Sequence, residues 1–402
     1  MRPALPNSRL GSPAALRGQA LSEVREASRI LVGPAARRAR EGDRAASLLR
    51  AHDPGVVWHY WEWNRVRLLA THRARQLGLE HALWDERAGQ VAALATQRGL
   101  QQELAALKVS RVLARDGIRA VVLKGSGLAQ RLYGDPALRD PSTDVDVLVA
   151  ASNLPRASEL LRDHGWTDTL EALTQGDLPE LHFAFLGSNG MPPVELHWRM
   201  QWYDRFSHTD YVLSRAEEFD GVLRPAAADL PHLLLLFWLR DGFHGLRLAA
   251  DWAAAIDLVE TAATQESAGD AGAAADDGSL TMPPIEALAG PLATARAAAA
   301  AAFGEGSAAD DHASRRVRAA QRLARTDAER SARQVYTQLT LADLLAGRGP
   351  HWRRSLATRW FRDGASVGIE HPGVAPWLVT PARAVSFGRT ATGSARLLLL
   401  RS

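Results

Sequence analysis

The stretch Ala120-Val121-Val122-Leu123-Lys124-Gly125-Ser126-Gly127 is followed, after a short helical segment, by Asp144-Val145-Asp146-Val147-Leu148-Val149. An apolar run ends in Lys-Gly-Ser, where a chain can turn tightly, and a second apolar run opens with two aspartates spaced i, i+2. Successive strand residues point to opposite faces, so Asp144 and Asp146 are expected on one face, about 7 Å apart along the strand. Two carboxylates so placed could share a divalent metal ion.

Upstream of this stretch, residues 95–117 carry two apolar stripes at helical spacing. Leu100, Leu104, Leu107 and Ala114 form one, and Ala106, Val109 and Leu113 the other, which predicts a helix packed on two sides and stopped at Gly117. Ile118 to Leu123 then has the length and β-branched composition of a buried strand. After the turn, Leu128 to Tyr133 have helical spacing and end at Gly134. Ser126 and its neighbouring N–H groups thus fall at a helix N-terminus, where unpaired donors and the helix dipole favour an anion such as phosphate. Gly134 to Thr143 is a Pro- and Asp-rich loop holding Asp135, Arg139 and Asp140, followed by the expected strand Asp144–Val149. A further amphipathic helix, with Leu154, Ala157, Leu160 and Leu161 on its apolar stripe, stops before Gly165. Two more strands, Leu181–Leu186 and Val194–Trp198, read as an antiparallel hairpin with a long turn. In the second of them Glu195 and His197 share a face, which brings in a third acidic side chain.

Composition narrows the classes. The 402 residues allow two or three domains with a sizeable core. A net charge of +3 leaves acids and bases nearly balanced, so nucleic acid is a conceivable partner that charge does not indicate. Lys108 and Lys124 are the only lysines in an arginine-rich chain. With no cysteine, disulfides, thiolate zinc sites and cysteine nucleophiles are excluded, and a reducing, cytoplasmic location is the expectation. No segment reaches the roughly 18 consecutive apolar residues of a membrane helix, so no membrane association is expected.

The flanks read as helical. Residues 1–18 are Pro/Gly/Ser-punctuated and expected to be flexible, and 19–94 form an N-terminal helical region. In that region Trp58 and Trp61 lie i, i+3 on one helix and are read as packing, not as a base-stacking platform. The core is placed at 95–200 and a C-terminal helical domain at 201–345, with an Ala/Gly/Asp/Ser-rich flexible insertion at 261–281. A basic, irregular tail occupies 346–402.

The run Leu123-Lys124-Gly125-Ser126, the turn Leu132-Tyr133-Gly134-Asp135-Pro136, Arg139, the Asp144-x-Asp146 strand and Val194-Glu195-Leu196-His197-Trp198 resemble the bacterial uncharacterised nucleotidyltransferase family. That family belongs to the DNA-polymerase-β-like nucleotidyltransferase superfamily, and the likeness spans roughly residues 95 to 260. It implies an α+β fold, a small mixed β-sheet flanked by helical regions. It also implies an enzyme that moves an NMP group from an NTP to a hydroxyl of an unidentified small molecule or protein, with two Mg²⁺ ions. Carried across residue by residue, Gly125 and Ser126 would contact the triphosphate, and Asp144, Asp146 and Glu195 would bind the metals. Two departures are visible: Glu195 stands where Asp is usual, and the gap between turn and aspartates is long.

The remaining polar residues have two readings each. Lys124 either contacts the triphosphate as a point charge or turns away into a surface pair, and Arg139 offers a planar fork for phosphate or acceptor oxygens. His197 could orient a carboxylate, touch substrate or be structural. His244, Arg247 and Asp251 could share a helix face that binds substrate, or form a buried structural network. Other functions compatible with the same fold are an inactive nucleotide- or partner-binding protein, whose mark would be a missing carboxylate, and a toxin-antitoxin type modifier of protein or RNA.

Overall fold

The computed structural model describes residues 19–168, 182–187, 190–200, 207–241, 243, 245–269 and 286–303. The expected flexible N-terminus, the end of the expected C-terminal helical domain (304–345), the basic tail and His244 lie outside the described residues.

Four helices come first: α1 (Gln19–Val32), α2 (Ala35–Arg50), α3 (Pro54–Trp63) and α4 (Arg67–Gln76). Asp53 caps α3 by accepting from the N–H groups of Gly55 and Val56, with Pro54 in the first turn. Trp58 and Trp61 are buried, and Trp61 Nε1 donates to Ser28 Oγ at 3.0 Å, so this aromatic cluster is packing. The long α5 (Ala82–Arg115) follows. It begins well before residue 95, and only one of its two expected apolar stripes is covered along its length, the other being covered only at Leu107. Val109 and Leu113 are fully buried, whereas Leu100 and Leu104 are 63% and 68% exposed. The spacing of a stripe reports that it is apolar; which neighbour covers it is a tertiary matter.

Next come β1 (Ala120–Val122), α6 (Ser126–Tyr133), β2 (Val145–Val149), α7 (Leu154–Asp163), β3 (Trp166–Asp168), β4 (His182–Gly187) and β5 (Val194–His197). β3 has no counterpart among the expected strands. It is three residues long and lies in a polar stretch, and it is held by the buried Trp166 and by pairing to β4. The five strands form one sheet in the order β1-β2-β5-β4-β3, with β2 and β5 parallel and the other pairs antiparallel. Asp144 precedes β2 instead of opening it.

After α8 (Ser207–Arg215), the strands β6 (Glu217–Phe219) and β7 (Val222–Arg224) form a tight hairpin. Asp220 and Gly221, both at positive φ, make its two-residue turn. The chain then returns to helices α9 (Leu230–Arg240), α10 (Arg247–Gly269) and α11 (Glu286–Phe303). The expected insertion at 261–281 is corrected in part, because α10 continues to Gly269. Alanine-rich polar sequence reads as a linker by composition, but alanine is the strongest helix former. The rest of that stretch lies outside the described residues.

Strand alternation sorts the sheet's two faces. Ala120, Val122, Val145, Val147, Val149, Val194 and Leu196 join the buried side of α5 and the apolar stripe of α7 in one core. Val121, Leu123 and Leu148 face the opposite way, into a second core built with α9, α10 and the N-terminal helices. Asp146 is two residues from Leu148 on the same strand and therefore shares that second face. The acidic side chains are consequently held between the sheet and the helical body.

Candidate active site

The parallel pairing of β2 with β5 sets Asp146 directly beside Glu195, and Leu148 beside His197. Asp146, Glu195 and His197 each present an atom able to hold a metal, and these atoms all lie within 4.8 Å of one another. His197 Nε2 is 3.0 Å from Asp146 Oδ1 and 3.4 Å from Glu195 Oε2. An ionised carboxylate only accepts, so Nε2 carries the hydrogen and donates to Asp146. Asp146 is 3% exposed and His197 1%, while Glu195 is half-buried.

Lys124 donates from Nζ to the same Asp146 oxygen at 2.9 Å and lies over the Phe237 ring. The expected surface pair is corrected: Lys124 does pair with a carboxylate, but inside the site instead of at the surface. Burial alone would push the Asp146 carboxyl up. Lys124 and the His197 hydrogen bond outweigh that and hold it well below the usual carboxylate range, so Asp146 is ionised.

Asp144 sits at the mouth of the site, where Ser142 Oγ donates to its carboxylate. Its backbone carbonyl accepts from the buried Gln102 Nε2 of α5 at 2.9 Å, which ties the start of β2 to the helix behind the sheet. Asp144, Asp146 and Lys124 line a cavity of about 120 Å³ together with Arg65, Arg139, Ser142, Thr143 and Arg247.

Arg139, from the loop after α6, is buried, and its Nε donates to Asp251 Oδ2 at 2.9 Å. Asp251 is fully buried on α10 and also accepts from Tyr133 Oη at 2.8 Å. Of the trio expected on one face, Asp251 therefore anchors Arg139, whereas Arg247 lines the cavity. Burial, with Arg139 and Arg65 nearby, lowers the Arg247 guanidinium to about 9.

The Gly-Ser turn is differently engaged. Gly125 has φ 105° and ψ −161°, a conformation essentially confined to glycine, and it starts α6 immediately after the strand. The donors at the start of α6 meet a carboxylate of the chain itself. Ser126 Oγ and the Gly127 N–H donate to Glu103 Oε1 at 2.6 and 2.8 Å, and Arg224 Nη2 donates to Glu103 Oε2 at 2.6 Å. A methyl group on Gly127 would sit 2.1 Å from Arg224 Cζ, so glycine is what lets this pair reach the helix end.

Four contributors escaped the sequence reading: Gln102, Glu103, Arg65 and Arg224. Gln102 and Glu103 lie mid-helix, where polar residues read as solvated, and Arg224 lies in a short hairpin. Arg65 carries one local signal only in the structure, its φ of 55°.

Acidic side chains at neighbouring strand positions, rimmed by guanidinium groups, form a site suited to a cation and a phosphorylated ligand at once. The chain belongs to the uncharacterised nucleotidyltransferase family, whose profile matches residues 50–267, more than half of its length. The mixed α+β fold thus carries a nucleotidyltransferase domain, and the expectation drawn from the Lys-Gly-Ser turn and the three acids holds for the family and the fold. No curated protein and no solved structure matches the chain. Among the described residues no helix is long and apolar enough to cross a membrane.

Proposed function

We propose that this protein is a Mg²⁺-dependent nucleotidyltransferase that moves an NMP group from an NTP to a hydroxyl of a small molecule or protein. The observation that carries the reading is the side-by-side placement of Asp146 and Glu195 on parallel strands, with Asp144 at the mouth of the same face. The donor set fits the metal: carboxylate oxygens suit a hard divalent cation, and Asp146 is already ionised. Asp144, Asp146 and Glu195 would hold it, with His197 orienting two of them. Bound magnesium would neutralise charge on the phosphoryl oxygens during in-line displacement. In that displacement the acceptor oxygen forms a bond to the α-phosphorus, the bond to the β-phosphate oxygen breaks, pyrophosphate leaves and the hydroxyl proton is lost. All three carboxylates are present, which favours an active enzyme over an inactive binding protein.

The test is incubation with each α-labelled NTP, Mg²⁺ and a lysate of the source organism, following transfer of label. Asp144→Asn and Asp146→Asn should each lower transfer about a hundredfold or more, as expected from removing several kcal/mol of metal-derived stabilisation. Both should also weaken Mg²⁺-dependent nucleotide binding. Unchanged metal-dependent nucleotide affinity in both variants would overturn the assignment.

A further inference from the structure

We infer that Asp140 and Gln102 are positioning residues for Asp144, and that they set the preference of the site for Mg²⁺ over a larger divalent cation. The inference rests on the nucleotidyltransferase reading and deepens it, because it names what fixes the one carboxylate of the three that the sheet does not hold.

The need for such residues follows from the strands. Asp146 and Glu195 are neighbours in the parallel ladder, and their metal-holding atoms, with that of His197, lie within 4.8 Å of one another. Asp144 belongs neither to that cluster nor to the ladder, because β2 begins at Val145, whose N–H donates to the Pro193 carbonyl at 2.9 Å. Side chains therefore decide where Asp144 stands. From behind the sheet, Gln102 Nε2 donates to the Asp144 carbonyl at 2.9 Å. Gln102 is 5% exposed in the middle of α5, a burial that a polar side chain accepts when it is hydrogen-bonded.

From the other side, the segment leading into Asp144 is fixed residue by residue. Asp140 is buried, its Oδ2 accepts from Arg67 Nε at 2.9 Å and its Oδ1 from the Leu68 N–H at 3.4 Å. α4 has no capping side chain of its own at Val66, so Asp140 brings an acceptor and a negative charge to the start of that helix from 72 residues away. The Pro141 carbonyl accepts from Arg65 Nη2 at 2.9 Å, and Ser142 Oγ donates to the Asp144 carboxylate. The first half of the same loop differs: Gly134, Asp135 and Pro136 are exposed. Gln102 and Asp140 both reach Asp144 through the backbone, so they act on its position and leave the donor set unchanged. Position matters unequally to different cations. Mg²⁺ demands near-octahedral geometry at about 2.0–2.1 Å, whereas Ca²⁺ accepts irregular shells at about 2.3–2.6 Å. A displaced Asp144 therefore weakens Mg²⁺ binding more than Ca²⁺ binding, while a general loosening of the fold treats the two alike.

The experiment is calorimetric titration of the full chain with Mg²⁺ and, separately, with Ca²⁺, with circular dichroism and urea melts for each variant. Gln102→Met removes the donor at nearly the same volume, and Asp140→Ala frees the segment from α4. Each should weaken Mg²⁺ binding roughly tenfold, the order expected when one hydrogen-bonded contact is lost, and Ca²⁺ binding by no more than about threefold. Asp140→Asn keeps an acceptor for the Leu68 N–H and should retain more of the Mg²⁺ preference than Asp140→Ala. Leu160→Ala, a buried position of α7 behind the sheet, should lower the urea midpoint and leave both affinities within about twofold. Should Asp140→Ala fail to fold, Gln102→Met carries the test. With Mg²⁺ binding lost in Asp144→Asn and Asp146→Asn, an undiminished Mg²⁺ affinity in Gln102→Met and Asp140→Ala would overturn the inference alone. So would Mg²⁺ and Ca²⁺ affinities that fall by the same factor, since the two residues would then serve only stability. If the two aspartate variants bind Mg²⁺ as the parent does, the metal site itself falls, and the transferase reading with it.

Discussion

Replacing Lys124 by Met removes a cation from a carboxylate that stays buried. Nζ lies 2.9 Å from Asp146 Oδ1, with the Lys124 side chain 15% exposed and that of Asp146 3%. At an effective dielectric of about 20, unit charges at that distance attract by roughly 6 kcal/mol. Water reaching Lys124 and the His197 hydrogen bond to the same oxygen reduce the loss, and breaking a buried pair from one side costs about 3–5 kcal/mol. A destabilisation of about 3 kcal/mol is therefore expected by urea denaturation at pH 7 in EDTA. The acid side has a definite sign. Because the folded Asp146 carboxyl is depressed, its contribution is present above the unfolded value near 3.9 and is lost as pH falls through the lower folded value. In Lys124→Met the depression shrinks, so this loss is smaller and is complete at a higher pH. Mg²⁺ should restore part of the stability, up to about 2.7 kcal/mol at a hundredfold excess over its Kd, and more in the variant than in the parent, where Lys124 competes for Oδ1. An unchanged urea midpoint in EDTA together with an unchanged acid profile would refute the reasoning.

Three further outcomes are expected. Gly127→Ala should cost about 1–3 kcal/mol in urea melts, because the new methyl displaces the Arg224 guanidinium from Glu103. Tyr133→Phe leaves Asp251 Oδ1 without its donor inside the core and should cost about 1–2 kcal/mol by the same measurement. His208 and His232 are both lowered to about 4, chiefly by burial, then by each other for His208 and by Arg296 for His232. Stability should therefore be full above about pH 6.5 and fall as pH drops toward 4, by at most roughly 3 kcal/mol per histidine, and His208→Gln should flatten that slope in pH-dependent melts.

What could be read from the chain is what local chemistry encodes. The β-branched run at 118–123, the glycine turn, the two aspartates and the Val-Glu-Leu-His strand announce a sheet bearing acids on one face, and the structure sets Asp146 beside Glu195. The pairing itself was not legible, since β2 meets β5 across some fifty residues of chain, and spacing within a strand says nothing about its neighbour. The start of α6 shows the same limit. Gly-Ser before a helix reads as an open anion site, and nothing local reports that Glu103, mid-way along α5, supplies the anion. Arg139 and Asp251 each stand out in the chain as polar candidates, but their ion pair joins residues 112 positions apart.

The division of labour between sheet and helices follows from the same geometry. The sheet face that carries Asp146 also carries Val121, Leu123 and Leu148, and these apolar side chains are covered by α9, α10 and the N-terminal helices. The covering helices bring the charges the acids need: Phe237 under Lys124, Asp251 holding Arg139, Arg247 at the start of α10 and Arg65 before α4. A segment limited to 95–200 would thus expose an apolar sheet face and lose Arg65, Arg247 and the anchor of Arg139 at once. Burial of that face and assembly of the cation rim are one event, because the residues that exclude water from Leu148 lie on the same elements that surround Asp146 with positive charge.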